Sequence, residues 1–426
     1  MSELVTCITV LQWVVLAVAG YLLAVTVTNL LTMPRLGEYR SHLRYPRVSI
    51  LVPARNEEEN LPRLIPSLLA QDYPDFEVVV LDDDSTDRTV DVLAESARRD
   101  SRLRVVPGLP RPAGWLGKNW ACHQLSQSTT SDWILFTDAD TVHRPGALRA
   151  AMDAALHHQL DFLSALLNQE VRTWSERLVV PFYSIYHVFC TVPFALGRRL
   201  RRPRLCAANG QFMLFRRQAY ERIGGYAGIR SAVLDDQALA TRVVAHELRW
   251  RFGDASRFVS CRMYRNWESV VEGFTKSVFT AFNYRLEPFL LTCVGLLLIF
   301  FGPLFVAILA ASGITPALAR LPLAVASILI TICLWLAVNR RFRIPLYLVL
   351  AYPATVGLAL FIAVRSAMVL PTGRATWKGR AIEATGASGS PAMVRPLPGL
   401  RTATYVYWYL GVSIAMLAHA YYRIRR

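Results

Sequence analysis

The chain has 426 residues, 53% of them apolar, and a formal net charge of +16. That length allows one large domain plus a membrane part, and an apolar share this high, concentrated at the two ends, argues against a purely soluble protein. Nucleic acid is not the expected partner of the positive charge, because the arginines crowd beside apolar runs: Arg35, Arg40, Arg44 and Arg47 after the first, Arg340, Arg341 and Arg343 after a later one. This is the positive-inside pattern, reinforced by attraction to anionic head groups.

Leu4 to Leu31 is almost continuously apolar and uncharged, long enough to span a bilayer. Glu3 precedes it without a Lys or Arg, and no small-residue cleavage site stands out, so it reads as a retained anchor, residues 1–34, and not a cleaved signal peptide. Residues 45–286 are then expected on the cytoplasmic side of the (inner) cell membrane. They open with a strand at Val48–Val52 ending at Pro53. Leu61, Leu64, Ile65, Leu68 and Leu69 follow at helical spacing, then a strand at Phe76–Leu81, a helix marked by Val90, Leu93, Ala94 and Ala97, and strands at Leu103–Val106 and Trp133–Phe136. The alternation predicts an α/β, Rossmann-like sheet. The absence of a GxGxxG turn argues against a dinucleotide-dependent dehydrogenase.

Leu178–Leu196 carries no Asp, Glu, Lys or Arg. Pro181 and Pro193 interrupt it, Tyr183, Tyr186 and His187 give it a polar side, and five arginines follow. It reads as a helix lying in the interface, with Phe182, Ile185 and Phe189 toward lipid, and Trp267–Tyr284 is expected to do the same. Further apolar runs lie at Pro288–Leu309, Leu321–Val338, Ile344–Val364 and Tyr405–Ala420. Pro345, Pro353 and Gly357 leave Ile344–Val364 open to either a single crossing or a re-entrant hairpin. The expected division is 287–370 transmembrane, 371–403 a basic loop with the Gly/Ala/Ser/Pro-rich linker Ala384–Pro398, and 404–426 a terminal hydrophobic helix with a basic tail. Seven cysteines, an odd number and none at metal-ligand spacing, fit a reducing compartment.

The chemistry concentrates in acidic doublets. Asp82-Asp83-Asp84-Ser85 follows the second strand and Thr137-Asp138-Ala139-Asp140 the fourth, about 55 residues later. Ligands of open α/β sheets sit at such carboxyl ends, and carboxylates there can hold a hard divalent cation. Lys118, at a helix start behind Gly114 and Gly117, can meet a diphosphate. Asp235-Asp236 is a third acidic pair.

Together these residues resemble membrane-bound family 2 glycosyltransferases of the GT-A fold, within them the hopanoid- and carotenoid-associated lipid-modifying branch, more distantly similar to ceramide glucosyltransferase. The resemblance covers roughly residues 45–380 and rests on the order of loose motifs. It implies a GT-A domain with N- and C-terminal transmembrane helices and interfacial helices. It implies nucleotide-sugar contacts from Pro53, Arg55 and Glu57 of Val52-Pro53-Ala54-Arg55-Asn56-Glu57, from Asp83 and then Asp82, from Lys118 of Gly114-Trp115-Leu116-Gly117-Lys118-Asn119-Trp120-Ala121, and from Asp138. Most members have glycine or asparagine where this chain has Asp84. Asp140, with Asp138, would hold Mg²⁺ or Mn²⁺. Gly210 and Gln211 of Asn209-Gly210-Gln211-Phe212 lie beside the acceptor in the family. Val233-Leu234-Asp235-Asp236 places the catalytic base at Asp236, with Asp235 as the alternative. Arg262-Met263-Tyr264-Arg265-Asn266-Trp267 is similar to the family's (Q/R)xxRW signature with Asn266 inserted. Arg262 or Arg265 would pair with the diphosphate, and Trp267 would border the acceptor. Trp377-Lys378-Gly379-Arg380 recurs near the end of the branch.

The resemblance therefore implies an inverting, metal-dependent transfer of a sugar from a nucleotide-diphosphate sugar, a UDP-sugar by expectation, to the hydroxyl of a membrane lipid (hopanoid, carotenoid or sphingolipid-like). A polyprenyl-phosphate sugar synthase or processive polysaccharide synthase is the alternative enzyme, and an inactive nucleotide-sugar-binding membrane scaffold is the alternative of another class.

Overall fold

The computed structural model describes residues 2–40, 44–312, 320–372, 376–377 and 380–381. Ala384–Pro398 and Tyr405–Ala420, with the linker and terminal helix expected there, lie outside them, as do Lys378 and Gly379.

A seven-stranded mixed sheet forms the centre: β1 (Val48–Ala54), β2 (Phe76–Asp82), β3 (Leu103–Pro107), β4 (Trp133–Phe136), β6 (Phe162–Leu166), β8 (Met213–Arg216) and β9 (Trp250–Asp254), in the order β3-β2-β1-β4-β8-β6-β9. β5 (Thr141–His143), β7 (Asn168–Gln169) and β10 (Val259–Cys261) make a small second sheet in the order β5-β10-β7. β1 to β4 are mutually parallel, and β8 runs against β4 and β6, so β9, parallel to β6, points the same way as β4. The carboxyl ends of β1, β2, β4 and β9 and the start of β8 therefore share one edge.

The central strands are buried on both faces, as parallel strands covered by helices must be. Leu51, Val79, Ile134 and Phe136 belong to one core, and Ile50, Val52, Val78, Val80 and Leu135 to the other. This is the two-residue alternation of a strand. The second core is closed by the helices Leu61–Leu69 and Ala147–His157. The first continues into residues 182–194 and into hydrophobic helices.

Among the described residues, four helices are long and apolar enough to cross a membrane: Thr6–Thr32, Leu286–Ala311, Leu321–Phe342 and Tyr352–Thr372. The run after Ile344 forms a short 3-10 turn, Leu346–Val349, and then one helix, Tyr352–Val369, without a hairpin. Trp174–Leu200 is a helix broken by a π-helical turn at Phe182–Tyr186 and bent by 41° after Phe189.

The structure corrects the lipid-facing reading of that segment. Phe182, Ile185 and Phe189 are 8%, 1% and 0% exposed. Tyr186 stacks on Trp335 at 4.2 Å, and Phe189 meets Phe342 edge-on at 5.1 Å. The apolar stripe is real, but it is covered by a neighbouring helix. Trp267–Val278 likewise lies along Tyr352–Val369: Phe279 N–H donates to Ser366 Oγ, and Ser366 Oγ–H to the Thr275 carbonyl.

Asn29 locks this arrangement. It is fully buried in the first hydrophobic helix. Its amide donates to the carbonyls of Phe189 and Val192, both at 2.8 Å, and its oxygen accepts from Phe194 N–H at 3.3 Å. These are the backbone groups that the break in the helix would otherwise leave unpaired. Asn29→Ala should cost roughly 1–3 kcal/mol per buried group orphaned. We expect a clear fall in Tm of the detergent-solubilised protein, and an unchanged Tm would remove the clamp from the account.

Candidate active site

The shared edge of the sheet gathers most of the sequence candidates. At the ends of β1 and β2, two loops brace each other. Arg55 Nη1 donates to the carbonyls of Asp83 and Asp84 at 2.6 and 2.7 Å. Asn56 N–H donates to Ser85 Oγ, Thr86 N–H to Asn56 Oδ1, and Glu57 N–H to Thr89 Oγ1. Asp83 and Glu57 are buried, and Pro53 pairs in register with Leu81. Asp84 has a φ of +58°, in the left-handed region that glycine, asparagine and aspartate enter most readily. That geometry accommodates Asp84 and equally the glycine or asparagine that the resemblance implies there. Arg55 is thus a brace between the loops, and Asp82 and Asp83 line the same end of the sheet.

The second group centres on Lys118, in the first turn of the helix Gly117–Gln127. Its Nζ lies 2.9 Å from Asp138 Oδ1 and 3.5 Å from Asp235 Oδ2. Burial works against the ammonium, but Asp138 and Asp235 outweigh it and hold Lys118 well above its ordinary pKa. Tyr226, fully buried, donates its hydroxyl to Asp235 Oδ2 at 3.0 Å. Asp236 accepts from Gly210 N–H at 3.1 Å and from Gln237 N–H at 2.7 Å. A Cβ on Gly210 would stand 3.2 Å from Lys118 Nζ, so glycine lets the backbone approach the ammonium. Burial, then the adjacent Asp235, push the Asp236 carboxyl up to about 6, against the two N–H donors and Lys118. A carboxylate near neutrality is matched to general-base work, whereas Asp235 is engaged by Tyr226 and Lys118.

Asn119 ties this cluster to its neighbours. Its amide faces the carbonyls of Ile229, Arg230 and Ala232 at 3.0, 3.2 and 2.9 Å. The motif around Lys118 thereby anchors the loop that delivers Asp235 and Asp236.

The Thr137–Asp140 turn is held from below. Thr137 Oγ donates to the Gln211 carbonyl, Thr141 Oγ to the Asp138 carbonyl, and both hydroxyls face His143 Nε2 at 3.1 Å. Burial pushes His143 down to about 3, so it is neutral. Cys261 pairs in register with Thr141 and bonds the Asp140 side chain. Burial first, and then Asp140, hold its thiol well above the ordinary range, so it stays protonated. Asp138 and Asp140 offer hard oxygen donors on one turn. No cluster of three or more His, Cys, Asp or Glu suited to a metal occurs among the described residues. Two carboxylates fit Mg²⁺ or Mn²⁺ where substrate phosphates supply the remaining oxygens.

Four of the candidate residues are held by contacts within the protein. The Gln211 amide is turned into the protein, donating to Cys261 Sγ at 3.0 Å and accepting from Gln169 Nε2 at 3.1 Å, so it supports the Asp140 turn. Arg262 reaches Glu176, itself 1% exposed, through Nη2 at 3.1 Å and Nε at 3.4 Å. Arg265 binds Glu59 Oε2 at 3.0 Å and Asn60 Oδ1 at 2.9 Å; Asn60 in turn donates to Glu57, so Arg265 fixes the first loop. Trp267 stacks on Trp174 at 5.4 Å and faces Phe361 at 6.2 Å. Sequence reasoning missed Tyr226, Asn119 and Cys261. The pair Gly224-Gly225, both with positive φ, marks the turn that presents Tyr226, but nothing local names its partner.

Residues 49–224 match the glycosyl transferase family 2 profile. The chain carries a family 2 glycosyltransferase domain. It is 27% identical over 231 residues to a 4,4'-diaponeurosporenoate glycosyltransferase of Staphylococcus haemolyticus, covering 54% of this chain and 60% of that one. It is 28% identical over 243 residues to the protein of that name from Staphylococcus aureus (strain MRSA252), covering 56% and 62%. The match thus spans less than two thirds of these relatives. Among solved structures, a mannosyltransferase from Pyrobaculum calidifontis, in complex with GDP-Man and Mn²⁺, superposes with a TM-score of 0.50 at 19% identity, over 84% of this chain and 98% of that one. The fold is the GT-A type, with hydrophobic helices before and after the glycosyltransferase domain.

Lys118→Met leaves Asp138, Asp235 and Asp236 facing one another without their cation. Repulsion grows as Asp236, whose carboxyl is pushed up to about 6, ionises beside Asp235, so the loss of Tm should be larger at pH 8 than at pH 5. Equal losses at both pH values, measured by thermal unfolding, would mean that the ammonium does not neutralise this cluster.

Proposed function

We propose that this glycosyltransferase moves a sugar from a nucleotide-diphosphate sugar to a lipid acceptor, with residues 45–286 on the cytoplasmic face of the cell membrane and the hydrophobic helices embedded in it. The observation that carries this reading is the Asp138–Lys118–Asp235–Asp236 cluster on the same sheet edge that meets the hydrophobic helices. The chain leaving Thr6–Thr32 bonds directly to the carboxyl end of β9: Leu36 N–H donates to the Asp254 carbonyl at 3.0 Å, and Asp254 N–H to that of Pro34 at 2.9 Å. An acceptor dissolved in the bilayer would approach from that side.

In this reading the loops after β1 and β2, with Asp83, Asp82 and Glu57, hold the base and ribose, and a UDP-sugar is the expected donor. Asp236 takes the proton of the acceptor hydroxyl as its oxygen attacks the anomeric carbon from the face opposite the diphosphate, which inverts that centre. Gly210 and Gln237 N–H groups orient Asp236, while Tyr226 and Lys118 hold Asp235 beside it. Lys118 is placed to meet a donor phosphate by exchanging its carboxylate partners. Asp140 and Asp138 would hold Mg²⁺ or Mn²⁺, which when bound supplies Lewis-acid stabilisation of the leaving diphosphate.

A second reading concerns the acceptor atom. The named acceptor of the relatives, diaponeurosporenoate, is a carboxylate, and a carboxylate needs no base. Asp236→Asn is nearly isosteric and cannot take a proton. For a hydroxyl acceptor, transfer should fall roughly 10²–10⁴-fold with donor binding retained; for a carboxylate acceptor the fall should be small. The wild-type hydroxyl reaction should rise with pH through about 6 and level off, as a base that must be ionised requires. Loss of donor binding in Asp236→Asn would remove the residue from the base role. The insertion of Asn266 between Arg265 and Trp267 disfavours a processive synthase.

Metal dependence is tested separately. Asp140→Ala, or excess EDTA, should remove several kcal/mol of transition-state stabilisation and with it nearly all transfer from labelled donor. Full activity in either condition would contradict the assignment of Asp140.

A further inference from the structure

A cavity of about 410 Å³ lies away from the catalytic cluster, lined by Arg35, Arg257, Arg340, Arg341 and Arg343 against a single acid, Asp254, with Leu30, Leu36 and Ala337 as its apolar wall. Asp254 ends β9, the edge strand, three strands from β4, roughly 14 Å at the usual strand spacing. We propose that this cavity binds the head group of an anionic phospholipid.

Three observations carry the assignment. The first is charge. Five guanidinium groups face one carboxylate, and among the described residues Arg35 alone of the five has another acid within ion-pair distance, Glu38 at 3.6 Å. The second is Arg341. Its side chain is only 6% exposed and its Nε lies 2.7 Å from Asp254 Oδ2 as an ion pair, yet none of its three buried guanidinium nitrogens makes a hydrogen bond among the described residues. Buried guanidinium nitrogens without acceptors are costly, and a phosphate oxygen fits their fork. The third is position. Leu30 is near the end of Thr6–Thr32, and Ala337, Arg340 and Arg341 are near the end of Leu321–Phe342. The two helices pack together and end at this cavity. A phosphate on a diacylglycerol would place its chains along those helices, whereas a free phosphate would leave the apolar wall unused.

Basic pockets between membrane helices at the cytoplasmic surface are the recurrent form of such sites. Here the bound head group would join the first hydrophobic helix, the third, and the edge strand of the catalytic sheet. The proposal concerns a site separate from catalysis, so it stands or fails independently of the acceptor.

The test uses full-length protein in a neutral detergent, titrated with phosphatidylglycerol or phosphatidylcholine and read by native mass spectrometry. Wild type should retain phosphatidylglycerol in preference to phosphatidylcholine. Arg340→Gln with Arg343→Gln, both exposed positions, should weaken that retention roughly 30-fold, the product of two surface-arginine contributions. Arg341→Met should abolish the preference; if that variant does not fold, the exposed pair still decides. Inorganic phosphate in large excess should fail to displace the lipid. Equal retention of the two lipids, an unchanged preference in the double variant, or displacement by inorganic phosphate would each overturn the proposal.

Discussion

Three carboxylates and one ammonium meet at the carboxyl edge of this sheet, and their mutual compensation is the constraint on which the site depends. Asp138 comes from the loop after β4, and Asp235 and Asp236 from a helix start nearly a hundred residues later. Bringing them together costs free energy through desolvation and repulsion. Lys118 offsets that cost for Asp138 and Asp235 by standing between them. Asp236, which makes no ion pair with the ammonium, is left with a raised pKa. The surrounding contacts serve this geometry: Asn119 holds the loop before Asp235, Tyr226 fixes Asp235 itself, and Gly210 admits the backbone close to Lys118.

The same edge is fastened to the hydrophobic helices by polar contacts rather than by a flexible tether. Asn29 closes the backbone of the broken helix, residues 34–36 bond to the end of β9, and Arg341 pairs with Asp254. Each is buried, where an unpaired partner would be expensive. The orientation of the catalytic edge relative to the first and third hydrophobic helices is therefore fixed by the hydrogen bonds of Asn29 and of residues 34–36 and by the ion pair of Arg341, with aromatic contacts such as Tyr186 on Trp335 filling the space between them.

Much of the fold was legible because parallel strands buried on both faces need continuous apolar runs, and these stood out at Val48, Phe76 and Trp133. Asp138, Lys118, Asp235 and Asp236 were legible as a set because each follows a strand or opens a helix. The failures have physical causes. A stripe such as Phe182, Ile185 and Phe189 reports an apolar neighbour but does not say whether that neighbour is lipid or protein. Glu176 and Arg262, or Gln211 and Cys261, are partners distant in sequence, and no local pattern pairs them. Asn29 lies within a hydrophobic run, and only the break it faces across the fold shows why it is there.

The central claim is that the cluster serves a lipid acceptor. Purified protein reconstituted in vesicles, supplied with labelled nucleotide-sugars, a hydroxylated or carboxylated long-chain lipid and water-soluble acceptors in the same reaction, tests it most directly. The account predicts that label from a nucleotide-sugar partitions into the organic phase as a monoglycosylated lipid. Label confined to water-soluble product or to polymer would contradict it.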